Sequence, residues 1–318
     1  SGLVESGSPE VSAGAPPKDH SPNAPSLADL VRLLEGDRFP MHFLVPLLTT
    51  MLPMLYGLSV AAYARIYTTE PAESGGSNSH RWGPRVLRAA VLFHLLYLIA
   101  RGWTEGHLPL VSIYDFLSAT ALALASVYLY LEMRQGIRTT GIFVLPLVLL
   151  IQLVASAYGN AVPATKPLIN PIWFELHTLA AVLGYGAFFV SAIYGILFLL
   201  LYREIKAHRM SVFFTRMPPL ESLGRMNVSA SSAGLVLLAL AILMGIGWGK
   251  AAGLHPFADP KTWLTIAAWC MLGFAVLAYH RLGWRGPRAV YASLAGFATL
   301  LLSRVVTDLF VNSFHTFK

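Results

Sequence analysis

The stretch Trp173–Tyr202, WFELHTLAAVLGYGAFFVSAIYGILFLLLY, decides the fold. It holds one carboxylate, Glu175, one imidazole, His177, and no lysine or arginine. Hydrocarbon offers no water to backbone amides, so a run this apolar crosses lipid only as a helix that pairs its own N–H and C=O groups. About 20 residues at about 1.5 Å each cover the roughly 30 Å of a bilayer core. The ten-residue alternation of a transmembrane barrel strand is absent. Seven further apolar segments flank this one: Pro40–Ile66, Val86–Trp103, Ile113–Leu131, Gly141–Tyr158, Ala230–Trp248, Thr262–Tyr279 and Ala289–Phe310. The expected fold is therefore all-α, a polytopic membrane bundle of about eight transmembrane helices.

Composition supports the same class. Hydrophobic residues make up 55% of the chain and charged residues 12%, half the charged share of an ordinary soluble domain. The net charge of +7 is not a nucleic-acid footprint, because most of the basic residues sit in short loops between apolar runs. Of these, 14 lie on one face, after the first, third, fifth and seventh spans, and eight on the other. The richer face is expected to be cytoplasmic. That puts both termini outside, on the periplasmic side of a bacterial inner membrane. Residues 1–39 are expected to be a disordered or interfacial tail without a signal peptide, with SLADLVRLLE (Ser26–Glu35) as a surface helix; residues 40–318 form the membrane domain. The single cysteine, Cys270, excludes an internal disulfide framework and a Cys-x-x-Cys-His haem attachment site.

Ionisable residues inside lipid are costly and point to function. His94 is near the middle of the second span, His177 opens the fifth, His280 closes the seventh on the cytoplasmic side, and His315 follows the eighth on the outer side. A neutral imidazole ligates haem iron well. By topology His177 and His315 share one face and can hold one haem between them, with Trp248, Phe257 and Trp263 of the outer loop GWGKAAGLHPFADPKTW as stacking partners. The plainer reading stands beside it: interfacial histidines and aromatics also serve as amphipathic anchors. His94 likewise suits a helix-packing hydrogen bonder. Arg304 and Asp308, spaced i,i+4, suit an ion pair within the bundle. Asp115 suits either a polar site or the cap of its helix. His20, His42, His80, His107 and His208 call for no functional reading.

Several segments taken together resemble a known family. They are SIYDFLSATALALASVYLYLE (Ser112–Glu132), the Trp173–Lys206 helix, RMPPLESLGRM (Arg216–Met226), ADPKTWLTIAAW (Ala258–Trp269), RLGWRGPRA (Arg281–Ala289) and FVNSFHTF (Phe310–Phe317). Their order and spacing are similar to the cytochrome c assembly proteins of the CcsA/ResC type and their shorter relative HemX. The resemblance runs from about Leu92 to the C-terminus. It implies a haem-handling membrane protein in which His177 and His315 are the outer axial pair and His280 receives haem before export. It further implies that the loop from Trp248 through Asp259 and Lys261 to Trp263 is the haem loop, and that haem b is held transiently or weakly. On the same resemblance, His94 is the expected substitute for the ligands that a partner membrane protein supplies in the two-component assembly system. Any part in haem attachment to apocytochrome c would be proximity catalysis, with no base from this chain.

The loop departs from the family pattern. His255, Pro256, Phe257 and Ala258 stand where assembly members carry tryptophans before the Asp-Pro-Lys, and Thr262 follows Lys261 where an acidic residue is usual. A weak outer site with His255 facing solvent is the expectation. Two alternatives follow: a HemX-like regulator binding an enzyme of tetrapyrrole synthesis, or an accessory structural subunit of a larger membrane complex.

Overall fold

The computed structural model describes residues 2, 39–69, 79–110, 112–159, 171–208 and 211–310. The chain divides into two compact units, Ser1–Pro40 and Met41–Lys318. Of the first, only Gly2 and the opening of a helix at Phe39 are described. The expectations for the tail and for Ser26–Glu35 lie outside the described residues, as does His315.

The second unit is a helical bundle. Its helices are α1 (Phe39–Thr69), α2 (Ser79–Glu105), α3 (Ile113–Gln135), α4 (Gly141–Tyr158), α5 (Pro171–Lys206), the short α6 (Val212–Arg216), α7 (Leu220–Ala251), α8 (Pro260–Arg281) and α9 (Pro287–Phe310). Among the described residues there is no strand, and seven helices are long and apolar enough to cross a membrane. The eighth predicted span is α9, a helix of 24 residues that packs against α5 and α8. Contacts of Arg101 with Asp115 and Gly159, of Glu175 with Leu108 and of His177 with Ala241 gather the ends of α2, α4 and α7 and the starts of α3 and α5 at one end, called here the His177 end.

Boundaries fall within four residues of the apolar runs except at two helix starts: α2 begins seven residues early, and α7 begins ten residues before the hydropathy does. For α7 the reason is polar packing inside the bundle. Asn227 is wholly buried; its Nδ2 donates to the Ser191 carbonyl at 2.8 Å, while Ser191 Oγ donates to the Asn227 carbonyl at 2.9 Å. Ser231 and Ser293 join the same cluster, tying α5, α7 and α9. A hydropathy scan counts such residues against a span, yet in lipid they bond across helices.

Above that cluster α5 and α7 approach closely through small residues. A β-carbon on Gly234 would lie 3.1 Å from the Gly184 carbonyl and 3.0 Å from the Phe188 ring, so no larger side chain fits without movement. Without a hydrophobic drive between helices in lipid, such close packing supplies the association energy.

The N-terminal helices are tied to α3 by buried polar contacts. Tyr63 of α1 donates to Glu132 near the end of α3. Nearer the His177 end, Tyr56 of α1, His94 of α2, Ser118 of α3 and Gln152 of α4 form one string.

Candidate functional site

His177 sits in the second turn of α5, where the helix packs on α7. Its Nδ1 donates to the Ala241 carbonyl at 2.7 Å. A carbonyl only accepts, so this bond places a proton on Nδ1 and leaves Nε2 as the nitrogen with a lone pair. Orientation of one ring nitrogen by a backbone acceptor is the kind of outer-shell bond that fixes the tautomer of metal-ligating imidazoles. Gly245, one turn further along α7, gives the ring its room. A β-carbon there would stand 2.7 Å from His177 Cε1 and 2.8 Å from Nδ1. The imidazole is therefore held by a bond on one side and by shape on another.

The aromatic residues named from the sequence gather at the same end. Trp248, in the last turn of α7, packs on Phe174 with ring centroids 5.7 Å apart. After α7 the chain turns through a single 3-10 turn, Pro256–Ala258, into α8. Asp259 is buried and caps α8 by accepting from the Lys261 amide at 2.9 Å. Trp263 donates from Nε1 to the Phe257 carbonyl at 2.9 Å, and the two rings lie 5.9 Å apart. Lys250 Nζ lies over the Phe257 ring at 5.8 Å. Phe257 makes these contacts from an exposed position in the loop, and His255 is exposed as expected.

His280 stands apart from this group. It is exposed in the last turn of α8, its ring edge-on to Tyr279 at 5.2 Å. Twenty residues separate it from Pro260 at the His177 end, which at about 1.5 Å per residue is about 30 Å. The structure therefore places His177 and His280 at opposite ends of the bundle, and it brings His177, Trp248, Asp259 and Trp263 to one end.

His94 has another occupation. It is wholly buried, with Nδ1 2.9 Å from Tyr56 Oη and Nε2 3.0 Å from Ser118 Oγ. Ser118 spends its hydrogen on Gln152 Oε1 at 3.2 Å, so it accepts from His94 Nε2, and Nδ1 accepts from Tyr56. Both nitrogens are engaged, which fits the packing reading given above rather than iron ligation. Asp115 has both of the roles weighed for it. It completes a capping box with Ser112 and pairs with Arg101 at 2.8 Å. The side chains of Arg304 and Asp308 lie outside the described residues.

Two residues at this end escaped the sequence reading. Arg101 is buried and bonds Asp115, Glu105, the Tyr97 hydroxyl at 2.9 Å and the Gly159 carbonyl at 3.3 Å. Glu175 is also buried, and its Oε1 accepts from the Leu108 amide at 3.0 Å. Arg101 stands near the end of the second apolar run, where a basic residue is ordinary and draws no attention. Its spacing from Asp115 across a short connection was the signal that could have exposed the pair.

Fold and site together define a multi-pass helical membrane protein presenting an oriented, half-buried histidine at one end. The chain belongs to the cytochrome c assembly protein family, whose model matches residues 110–315, more than half of its length. The cytochrome c biogenesis protein CcsA of Heterosigma akashiwo is similar at 25% identity over 237 residues, 63% of this chain and 74% of that protein. CcsA of Guillardia theta is 23% identical over 243 residues, 69% of this chain and 80% of the relative. CcsA of Prochlorococcus marinus is 24% identical over 297 residues, 82% and 92% of the two chains. These relatives fit the assembly reading and not the regulator alternative. The matched region holds α3 to α9 and, in sequence, His177, Trp248, Asp259, Trp263, His280 and His315, while His94 lies before it.

Proposed function

We propose that this protein handles haem for cytochrome c biogenesis, holding it at the outer face through His177 with His315 as the second axial ligand. The observation that supports this most directly is the His177 ring, oriented by the Ala241 carbonyl and seated against Gly245. Bound there, haem supplies an iron with two axial positions and vinyl groups for thioether formation. The chain's own part is to orient the imidazole, to enclose the site with Trp248, Phe174, Phe257 and Trp263, and to hold the loop through the Asp259 cap. His280, at the opposite end, is the candidate for taking up haem before export. A single cysteine cannot supply the two thioethers of a c-type attachment to this chain, so the haem would be held without them, and haem b is the proposed form. The domain is assigned to residues 40–318 and the tail to 1–39. A partner membrane protein of the assembly system is the proposed neighbour.

A pyridine haemochrome assay on the detergent-purified protein tests the reading. Haem b in the purified or haem-supplemented protein is the expected result. Protein that purifies without haem, and shows no Soret band after haem is added, would count against it.

The proposed setting is a bacterial plasma membrane with the His177 end outside, supported by the excess of basic residues on the opposite face. Single cysteines placed in the 203–209 segment, in a Cys270→Ser background, should react with an impermeant maleimide only after the membrane is opened. Labelling in intact cells would reverse the orientation.

A further inference from the structure

The turn of α5 that carries His177 is pinned from two sides, and only one of those sides is the ring itself. Residues two apart on a helix point about 200° apart, so Glu175 faces away from His177. His177 reaches α7, while Glu175 reaches the connection between α2 and α3 and accepts from the Leu108 amide at 3.0 Å across 67 residues of sequence. A carboxylate near a helix start also suits the positive end of the helix dipole. That effect requires neither burial nor a distant partner, and Glu175 is 7% exposed.

The connection it grips is itself fixed. Ser112 and Asp115 close a capping box at the start of α3. Arg101 ties the end of α2 to Asp115 at 2.8 Å and to the Gly159 carbonyl at the end of α4 at 3.3 Å. The Leu110 amide bonds the Leu108 carbonyl at 2.8 Å, and His107 Nδ1 lies 2.9 Å from that same carbonyl. Leu108 therefore offers its N–H from a braced loop. Rotation of α5 about its axis would swing the His177 ring across Gly245, and the Glu175 bond resists that rotation from the back.

We propose that Glu175 is a positioning residue for His177, setting the rotation of α5 that aims the imidazole; this rests on the reading of His177 as an axial ligand. An oxygen acceptor is required at this position and a negative charge is not. Groups that orient a metal ligand at second hand typically contribute tenfold or more to metal retention.

The test uses the full-length protein in detergent, with Glu175→Met, Glu175→Gln and His177→Ala measured together. The readouts are haem per protein, the low-spin electron paramagnetic resonance signal and the size-exclusion profile. Glu175→Met should stay monodisperse, lose about tenfold of its haem and shift the low-spin signal. Glu175→Gln should recover both, because its amide oxygen accepts the same N–H. Wild-type haem and spectrum in Glu175→Met would overturn the proposal, as would a glutamine variant as poor as the methionine one. Loss of monodisperse protein in Glu175→Met would also overturn it, since the residue would then serve the fold rather than the ring. Haem kept in His177→Ala overturns the ligand assignment itself. Haem lost there but kept in Glu175→Met overturns only the positioning role.

Discussion

His177→Ala is expected to purify with about a tenth or less of the haem of the unaltered protein, and its residual Soret band should move to the form of a five-coordinate or solvent-filled site. Removing an axial ligand outright should cost at least as much as removing an outer-shell partner, for which losses of about 10–100-fold are typical. His315→Ala should behave likewise if the two share one iron. A companion change probes the seat of the ring without touching it. Gly245→Val places carbon where the His177 ring atoms are 2.7 and 2.8 Å from an ideal β-carbon. The ring must then leave the Ala241 carbonyl, so haem content should fall while His177 is still present. The measurement is the pyridine haemochrome yield per protein with the optical spectrum. Unchanged haem and an unchanged band in both His177→Ala and His315→Ala would reject the pair.

The same residues show what the sequence could convey. The spans were legible because lipid imposes one length and one composition on every crossing helix, and α4 (Gly141–Tyr158) came out to the residue. Legibility failed where polar atoms satisfy one another inside the bundle. Asn227 falls ahead of the apolar run that begins at Ala230 and reads as loop, yet it is buried helix. His177 was legible as a candidate from its type and its place at the start of a span. Its tautomer was not, because the acceptor is a backbone carbonyl 64 residues away. No side-chain pattern encodes a carbonyl partner. Glu175 was hidden for the same reason, since Leu108 contributes an amide and its leucine side chain says nothing of it. His94 was legible as buried and polar, but its two partners, Tyr56 and Ser118, come from helices whose pairing the sequence does not state.

Arg101→Met should be the most destabilising single change at the His177 end. The guanidinium is buried, 2.8 Å from Asp115 and 2.9 Å from Glu105, and it also donates to Tyr97 and Gly159. Methionine keeps the apolar stem but strands two carboxylates. Breaking a buried ion pair from one side costs about 3–5 kcal/mol, because the remaining charge has lost its partner. Glu105 already has one carboxylate oxygen buried without a hydrogen bond, so it has little to fall back on. Replacing a whole buried pair by apolar groups is often close to neutral. If Arg101 and Asp115 were a simple pair, Arg101→Met with Asp115→Leu should therefore return nearly to the stability of the unaltered protein. As a hub, Arg101 leaves Glu105 and the Gly159 carbonyl unsatisfied in that double variant, and recovery should be partial. Adding Glu105→Gln should then recover much of the remainder, since the amide removes the stranded charge. Thermal unfolding in detergent, arranged as a double-mutant cycle, measures each coupling separately. Full recovery in the Arg101–Asp115 double variant would reduce the hub to one ion pair. An Arg101→Met protein as stable as the original would show that the guanidinium does not hold α2, α3 and α4 together at this end. The brace behind Leu108 and Glu175 would then need another source.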